Sequence, residues 1–225
     1  MSKSAPRSVR VSGRAGHERL IMEPGVLKAR LLTCLEPLVL GHGHYGDGVL
    51  EAEVPAAVLI PIITDKEPQI LFTRRAEHLI RHGGQISFPG GQIEAHDNSP
   101  LAAALREARE EIGLDPSRVS PVGRLTTRSI TTGYAVTPIV GLLPAGTAFT
   151  PNPDEVAEIF PVPLAYLMDS DHYQVQSAAS CHGRSHPTLA LQYRQHRIWG
   201  ATAAMLSELC SRWHRATKFV TLYDN

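Results

Sequence analysis

The segment SPLAAALREAREEIGL at residues 99–114 constrains the fold most, because its apolar residues repeat with the period of an α-helix. Residues three or four positions apart lie on one side of a helix, and here they predict a single buried stripe: Leu101, Ala104, Leu105, Ala108 and Ile112. Ser99 and Pro100 are typical of the first turn of a helix, and Gly113 is typical of its end. The segment therefore predicts an amphipathic helix.

Three glutamates lie beside this stripe. Glu107, Glu110 and Glu111 follow the spacing i, i+3 and i+4, which places their carboxylates on one adjacent face. At about 100° per residue, this acidic face is expected roughly 120° around the helix from the stripe. Like charges at this spacing repel each other, and a divalent cation would relieve the repulsion; oxygen ligands suit Mg²⁺ or Mn²⁺.

A solvated charged face is the alternative interpretation of these glutamates. The glycine-rich turn FPGGQIEAHDN, at residues 88–98, comes directly before the helix. Glycine lets the backbone approach a ligand closely or fold tightly over a metal site. This context favours a ligand site over a merely charged surface.

The remaining pattern predicts a mixed α/β fold. The apolar run Ala56–Ile63 indicates a buried strand, with Gln69–Arg74 as its hairpin partner. Further strands are predicted over 119–127, 135–143 and 155–162 and within 170–198, and loops over 41–48 and 177–187. Helices are predicted over 25–37, with Leu27, Leu31, Leu32 and Leu35 on one face, and over 200–215, with Ala203, Leu206 and Cys210 on one side.

Residues 1–22 differ from the rest, with basic residues in excess and no apolar run, and predict a flexible basic tail before a single domain at 23–225. A targeting role for this tail stays open. The whole chain has 22 basic and 22 acidic residues, which argues against a nucleic-acid or membrane-surface partner. Cys34, Cys181 and Cys210 are scattered, so a reducing, cytoplasmic location is expected.

The segment GGQIEAHDNSPLAAALREAREEIGL resembles the signature of the Nudix hydrolases, G-x5-E-x7-R-E-U-x-E-E-x-G-U, in which U is apolar. Gly91 opens the match, about residues 91–114, and the second half is complete: Arg106, Glu107, Ala108, Glu110, Glu111, Gly113 and Leu114. Asp97 departs from the pattern: it stands where the first glutamate is expected, one residue further from Arg106. The resemblance implies an α/β/α sandwich with a mixed β-sheet between helices, and metal-dependent hydrolysis of a diphosphate.

The segment ILFTRRAEHLIRHGGQISFPGG, at residues 70–91, is similar to an additional motif of the coenzyme A diphosphatase branch. Eight residues take the places that the branch expects: Thr73, Arg75, Ala76, Gly84, Phe88, Pro89, Gly90 and Gly91. Ile80 occupies the place of the branch's second arginine, and Arg81 follows it. The implied reaction splits coenzyme A, and its thioesters, into 3′,5′-ADP and 4′-phosphopantetheine.

The resemblance also implies roles for the acidic residues. Glu107, Glu110 and Glu111 would hold Mg²⁺ or Mn²⁺, and Glu111 or Glu155 would take the proton from the attacking water. Glu155 lies in the region where Nudix proteins often supply a glutamate from outside the signature. Arg106 would orient a neighbouring carboxylate.

The substrate is expected to meet basic side chains and glycine backbone. Arg74, Arg75 and Arg81 predict a cluster beside the acidic site, because guanidinium groups suit phosphate oxygens. Gly90 and Gly91 would bring the backbone to the substrate.

Several alternatives stay open. The substrate could instead be another nucleoside diphosphate derivative, such as NADH, ADP-ribose or a dinucleotide, and Ile80 is the reason. A Nudix-fold binding or regulatory module without turnover is the alternative from another class of protein. The sequence leaves a homodimer open, and the His- and Cys-containing run CHGRSH at 181–186 is interpreted as a polar loop, not a zinc site.

Overall fold

A computed structural model describes residues 9–12, 18–38, 53–80, 82–178 and 186–221. Its helices are α1 (Pro24–Cys34), α2 (Pro100–Ile112), α3 (Leu164–Leu167) and α4 (Gly200–Thr221). Its strands are β1 (Val9–Ser12), β2 (Glu18–Ile21), β3 (Val54–Thr64), β4 (Gln69–Arg75), β5 (Ile86–Ser87), β6 (Gly90–Gln92), β7 (Ser120–Arg124), β8 (Arg128–Ile130), β9 (Tyr134–Pro144), β10 (Val156–Pro163), β11 (Gln174–Ala178), β12 (His186–Tyr193) and β13 (His196–Trp199).

The main sheet is mixed, with its central strands in the order β10-β4-β3-β9-β7. Strands β3 and β9 run parallel from Val54 opposite Tyr134 to Thr64 opposite Pro144, and the other pairs are antiparallel. The predicted hairpin of β3 and β4 is confirmed by the pairing of Ile62 with Ile70. The short strands β5, β6 and β8 pair with β4, β3 and β9, respectively.

Helices cover both faces of this sheet. Alternate residues of a strand point to opposite faces, so Ala57 and Leu59 of β3 pack in one cluster with α2. Ile60 and Ile62 pack on the other face in a cluster that includes residues of α1 and α4. The predicted α/β/α sandwich with a mixed sheet is therefore confirmed.

Helix α2 forms where the sequence predicts it, with a different buried face. The Ser99 hydroxyl accepts a hydrogen bond from the Ala102 amide at 3.1 Å, and Gly113 ends the helix with a φ of 63°. The predicted stripe is partly wrong: Leu101 and Leu105 are only partly buried, and the fully buried residues are Ala103, Ala104, Ala108, Glu111 and Ile112. Ala104, Ala108 and Glu111 follow the spacing i, i+4 and i+7, so the face of α2 that packs against the sheet includes Glu111.

The other two predicted helices, α1 and α4, are confirmed with shifted bounds. Helix α1 ends at Cys34, three residues before the predicted end, because Glu36 forms a bridge to Arg124 of β7. Leu32 is 54% exposed, so its place on the buried face was wrongly predicted. Ala203, Leu206 and Cys210 of α4 are buried as predicted.

The remaining predicted segments give mixed outcomes. The strand-rich region after residue 170 forms a small antiparallel sheet in the order β11-β12-β13. Within the predicted tail, β1 pairs with β2, and Met22 is buried. The predicted loop at 41–48 and most of the loop at 177–187 lie outside the described residues. No helix in the described part of the chain is long and apolar enough to cross a membrane.

A network of charged residues joins α4, the strands β7 and β8, and the segment that follows α1. The carboxylate of Glu208 on α4 pairs with Arg128 at 3.1 Å and Arg212 at 2.8 Å, and accepts the Thr126 amide at 3.1 Å. Arg212 also pairs with Glu36 at 2.7 Å. Burial alone would raise the pKa of Glu208, but the hydrogen bonds from Thr126 and the charges of Arg212 and Arg128 hold that pKa below its usual value.

Glu208→Gln is expected to lower the free energy of unfolding at pH 7 by about 1–3 kcal/mol, because two arginines lose a carboxylate partner. A carboxyl whose pKa is lowered by folding stabilises the fold above its unfolded pKa of about 4.3, and this contribution disappears as pH falls through the folded value. The difference between variant and wild type should therefore shrink below about pH 4. Urea unfolding over this range measures it.

Glu77→Gln is the control, because Glu77 is 73% exposed and pairs only with Arg74 among the described residues. An exposed pair of this kind contributes about 0–1 kcal/mol. If the effect of Glu208→Gln is the same at pH 7 and at acid pH, its charge does not stabilise the network.

Candidate active site

Arg106 is the centre of the hydrogen bonds that organise the acidic end of α2. Its guanidinium donates to Asp97 at 2.9 Å, Glu107 at 2.8 Å and Glu110 at 3.0 Å. It also donates to the backbone oxygen of Gln92 at 3.0 Å, which ties α2 to the end of β6. The Asp97 carboxylate is buried and accepts the Glu94 amide at 2.9 Å. The extra residue between Asp97 and Arg106 is thus accommodated in the loop, and the ion pair still forms.

Glu111 points into the protein instead of lying on an exposed acidic face. Glu111 is only 3% exposed. The prediction that it lies on a separate acidic face, well away from the buried stripe, is therefore wrong. One carboxylate oxygen lies 3.4 Å from Arg75 Nη1, and the other accepts the Gly90 amide at 3.3 Å. Burial raises the pKa of Glu111 to about 8, and the charge of Arg75 opposes this rise.

Glu107 lies between the other carboxylates and the glycine turn. Burial raises its pKa, the hydrogen bond from Arg106 opposes the rise, and the charges of Glu110 and Glu155 add to it. A Cβ added to Gly91 would come within 2.5 Å of Glu107 Oε1. Only glycine at position 91 leaves room for this carboxylate in its observed place.

Glu155 reaches the same region from the loop before β10. The amides of Thr150 and Asn152 donate to the backbone oxygens of Ile112 and Glu111, both at 2.8 Å. The Asn152 side chain donates to Glu155 Oε1 at 3.4 Å. The negative charge of Glu155 raises the pKa of Glu111 as well as that of Glu107, so the three carboxylates are electrostatically coupled.

The turn before β6 is held tightly against β3. The Leu59 amide donates to the Pro89 oxygen at 2.9 Å, and Gly90 pairs with Val58. Gly90 has a φ of 156°, and a Cβ there would lie 2.4 Å from the Ala57 backbone oxygen. The close approach of two strands therefore requires glycine, and it fixes the amide that faces Glu111.

Comparison with known proteins decides the family. The family described as NUDIX domain matches residues 53–179, which is more than half of the chain. The chain belongs to the Nudix family.

Two relatives by sequence agree with this assignment. A Photorhabdus laumondii protein, named uncharacterized Nudix hydrolase NudL, is 43% identical over 157 residues, covering 70% of this chain and 83% of that one. A Yersinia pestis protein of the same name is 41% identical over 176 residues, covering 77% of this chain and 85% of that one. The solved structure of a MutT protein from Methanosarcina mazei gives a TM-score of 0.47 at 19% identity, covering 75% of this chain and 99% of that one. The chain is a Nudix hydrolase, and such enzymes act on phosphoric anhydrides.

Nudix hydrolases generally need a divalent cation, and the donor set at α2 fits one. The coupled carboxylates supply the oxygen ligands that Mg²⁺ and Mn²⁺ prefer. As they stand, no three His, Cys, Asp or Glu side chains of the described residues converge on one metal position. Glu107 and Glu110 are paired with Arg106, and Glu111 is paired with Arg75.

The prediction that Arg74 joins an arginine cluster beside the acidic site is wrong. Neighbouring residues of β4 point to opposite faces of the sheet, so Arg75 faces α2 while Arg74 faces away from it. Arg74 pairs with Glu158 at 3.0 Å and with Glu77 at 3.0 Å. Glu158 in turn contacts the buried His196 at 3.1 Å. Arg74 is thus occupied on the side of the sheet opposite Glu111.

The loop between β4 and β5 carries the other predicted basic residue. Arg81 lies outside the described residues. Its neighbour Ile80, which stands in place of the branch's second arginine, is fully exposed. The base of the loop is tied to the site, because the Ala76 amide donates to the Glu155 backbone oxygen at 2.9 Å.

Sequence reasoning missed one group beside the site and one on the opposite face of the sheet. Asn152, which holds Glu155, could have been found from the short polar run PNPDE before a predicted strand. The Glu158–His196 pair joins residues 38 positions apart, and no local pattern indicates it.

Proposed function

We propose that this Nudix hydrolase cleaves the diphosphate of coenzyme A, and of its thioesters, to give 3′,5′-ADP and 4′-phosphopantetheine. One observation carries the proposal. Two residues of the segment that resembles the coenzyme A branch meet at one buried carboxylate: Arg75 and Gly90 both contact Glu111. A motif specific to one substrate would be expected beside the proposed metal ligands, and these two contacts with Glu111 support the proposal.

The proposed roles follow from the contacts. Glu107, Glu110 and Glu111 would hold Mg²⁺ or Mn²⁺, which supplies Lewis-acid polarisation of the phosphoryl oxygens. Arg106 holds Glu107 and Glu110 in place and is not expected to touch the substrate.

Hydrolysis requires a proton acceptor near the attacking water. Water forms a bond to one phosphorus while the bridging P–O bond breaks, and the proton of the water passes to Glu111 or Glu155. Both are near enough for their charges to interact.

The substrate phosphates would be gripped by guanidinium and backbone groups. Arg75 and Arg81 are proposed to bind phosphate oxygens, and Gly90 and Gly91 to bring the backbone close. Arg74 is no longer part of this proposal, because its partners lie on the other face of the sheet. We place the reaction in the cytoplasm, and the buried free thiols of Cys34 and Cys210 suit a reducing compartment.

The decisive test incubates the protein with coenzyme A and Mg²⁺ and identifies the products by mass spectrometry. Formation of 3′,5′-ADP and 4′-phosphopantetheine, abolished by EDTA, supports the proposal. A second candidate substrate class, other nucleoside diphosphate derivatives, is favoured by the exposed Ile80 in place of an arginine. Turnover of NADH, ADP-ribose or a dinucleotide with no cleavage of coenzyme A would overturn the coenzyme A assignment.

The 3′-phosphate of coenzyme A offers a finer test. If Arg81 contacts it, wild type should prefer coenzyme A over dephospho-coenzyme A by about 10- to 150-fold in kcat/KM, the value of one charge-assisted contact. Arg81→Ala should remove this preference and leave hydrolysis of dephospho-coenzyme A nearly unchanged. Equal losses on both substrates would show that Arg81 does not recognise the 3′-phosphate.

A further inference from the structure

The carboxylate of Glu111 is held by a single cationic side chain in the part of the chain that the structure describes. Arg75 Nη1 lies 3.4 Å from Glu111 Oε1, and the Glu111 side chain is only 4% exposed. A buried carboxylate without a positive partner is costly, so this ion pair stabilises the carboxylate where it lies.

Arg75 differs from its neighbour Arg74 in how strongly it is committed to protein partners. Arg74 pairs with two carboxylates, those of Glu77 and Glu158. The Arg75 guanidinium contacts Glu111 alone among the described residues, at the long end of the ion-pair range, and is 27% exposed. Arg75 can therefore leave Glu111 without breaking any other observed contact.

The proposed cation and the Arg75 guanidinium need the same carboxylate. Two positive groups close to one carboxylate compete for its oxygens and repel each other. We infer that Arg75 is a positioning residue that takes the place of the cation at Glu111 in the metal-free protein and releases Glu111 when the cation binds. This inference rests on the proposed function, because it requires Glu111 to be a metal ligand.

The release has a consequence for the substrate. A guanidinium freed from Glu111 stays next to the site, since the Arg75 backbone is fixed in β4 by its pairing with Val156 and by its hydrogen bond to the Gln85 oxygen. Guanidinium groups bind phosphate oxygens well. Cation binding would thus make the Arg75 side chain available to the diphosphate, so that metal and substrate bind in order.

The test measures Mn²⁺ affinity by calorimetry on protein freed of metal with EDTA and then dialysed. Arg75→Gln is expected to bind Mn²⁺ at least about 5-fold more tightly than wild type, because the competing cation is gone. The same variant should hydrolyse coenzyme A with a raised KM, so metal affinity and substrate affinity move in opposite directions. Arg75→Lys, which keeps the charge, should stay close to wild type in Mn²⁺ affinity.

Arg74→Gln is the matched control, because it removes the same group from the adjacent residue on the other face of β4. Its Mn²⁺ affinity should equal that of wild type. Thermal unfolding gives an independent measurement: Mn²⁺ should raise the Tm of Arg75→Gln by more than it raises the Tm of wild type.

The outcomes separate this inference from the proposed function. If wild type binds Mn²⁺ and Arg75→Gln binds it equally or more weakly, Arg75 does not compete with the cation and the inference is overturned. If neither protein binds Mn²⁺, the proposed metal site itself is wrong, and the inference falls with it.

Discussion

Glu111→Gln is expected to reduce turnover by about 100-fold or more while the protein stays folded. Glutamine keeps the oxygen that accepts the Gly90 amide, and it resembles a protonated carboxyl in shape. It lacks the negative charge that a divalent cation or an attacking water requires. Because burial already disfavours the Glu111 charge, and its partner Arg75 is partly exposed to solvent, the Tm should change little, which separates loss of chemistry from loss of fold.

Steady-state kinetics at saturating Mg²⁺, together with thermal unfolding, measures both effects. Glu23→Gln is the control, since Glu23 is an exposed carboxylate before α1. A rate for Glu111→Gln within a few-fold of wild type would show that Glu111 neither binds metal nor accepts the proton.

The second large effect is expected at Gly90. Gly90→Ala would place a Cβ 2.4 Å from the Ala57 backbone oxygen and 2.6 Å from Val58 Cα, so β6 must move away from β3. The backbone at a φ of 156° is also unfavourable for alanine. We expect the free energy of unfolding to fall by about 2–4 kcal/mol.

Activity should fall with stability in this variant, because the amide that faces Glu111 moves with the strand. A loss of at least about 10-fold in kcat/KM is expected, the value of one misplaced hydrogen bond at a reacting group. Gly25→Ala is the matched control: a Cβ there meets nothing within 4 Å, and alanine is a better helix former than glycine at this place in the first turn of α1. If both variants unfold at the same denaturant concentration, the close approach at Gly90 does not constrain the fold.

Helix α2 was predictable because its determinants are local. Ser99, Pro100 and Gly113 define its ends within the segment itself, and the spacing of Glu107, Glu110 and Glu111 follows from helix geometry. The burial of Glu111 was not predictable in the same way. It depends on which face of α2 packs against the sheet: the prediction centred that face on Leu101 and Leu105, whereas the buried face contains Ala104, Ala108 and Glu111.

The two arginines of β4, Arg74 and Arg75, show a different limit of prediction from sequence. The strand itself was predicted as the hairpin partner of the apolar strand Ala56–Ile63, but its end was placed at Arg74, so the alternation of side chains was not extended to Arg75. Extending the strand by one residue would have separated the two guanidinium groups onto opposite faces. The partners of Arg74, Glu158 and Glu77, could not be assigned, because the pairing of β4 with β10 joins distant parts of the chain.

The backbone of the loop that carries Glu155 continues the hydrogen bonding of α2 past its end. Thr150 and Asn152 donate to the last carbonyl groups of the helix, which a helix otherwise leaves to solvent. These hydrogen bonds tie the loop to the end of the helix. A shift of α2 against the sheet therefore moves the backbones of Glu111 and Glu155 in the same direction. The spacing of these two carboxylates is then insensitive to such motion, and the amides of Thr150 and Asn152 should exchange hydrogen with the rate of a helix rather than of a surface loop.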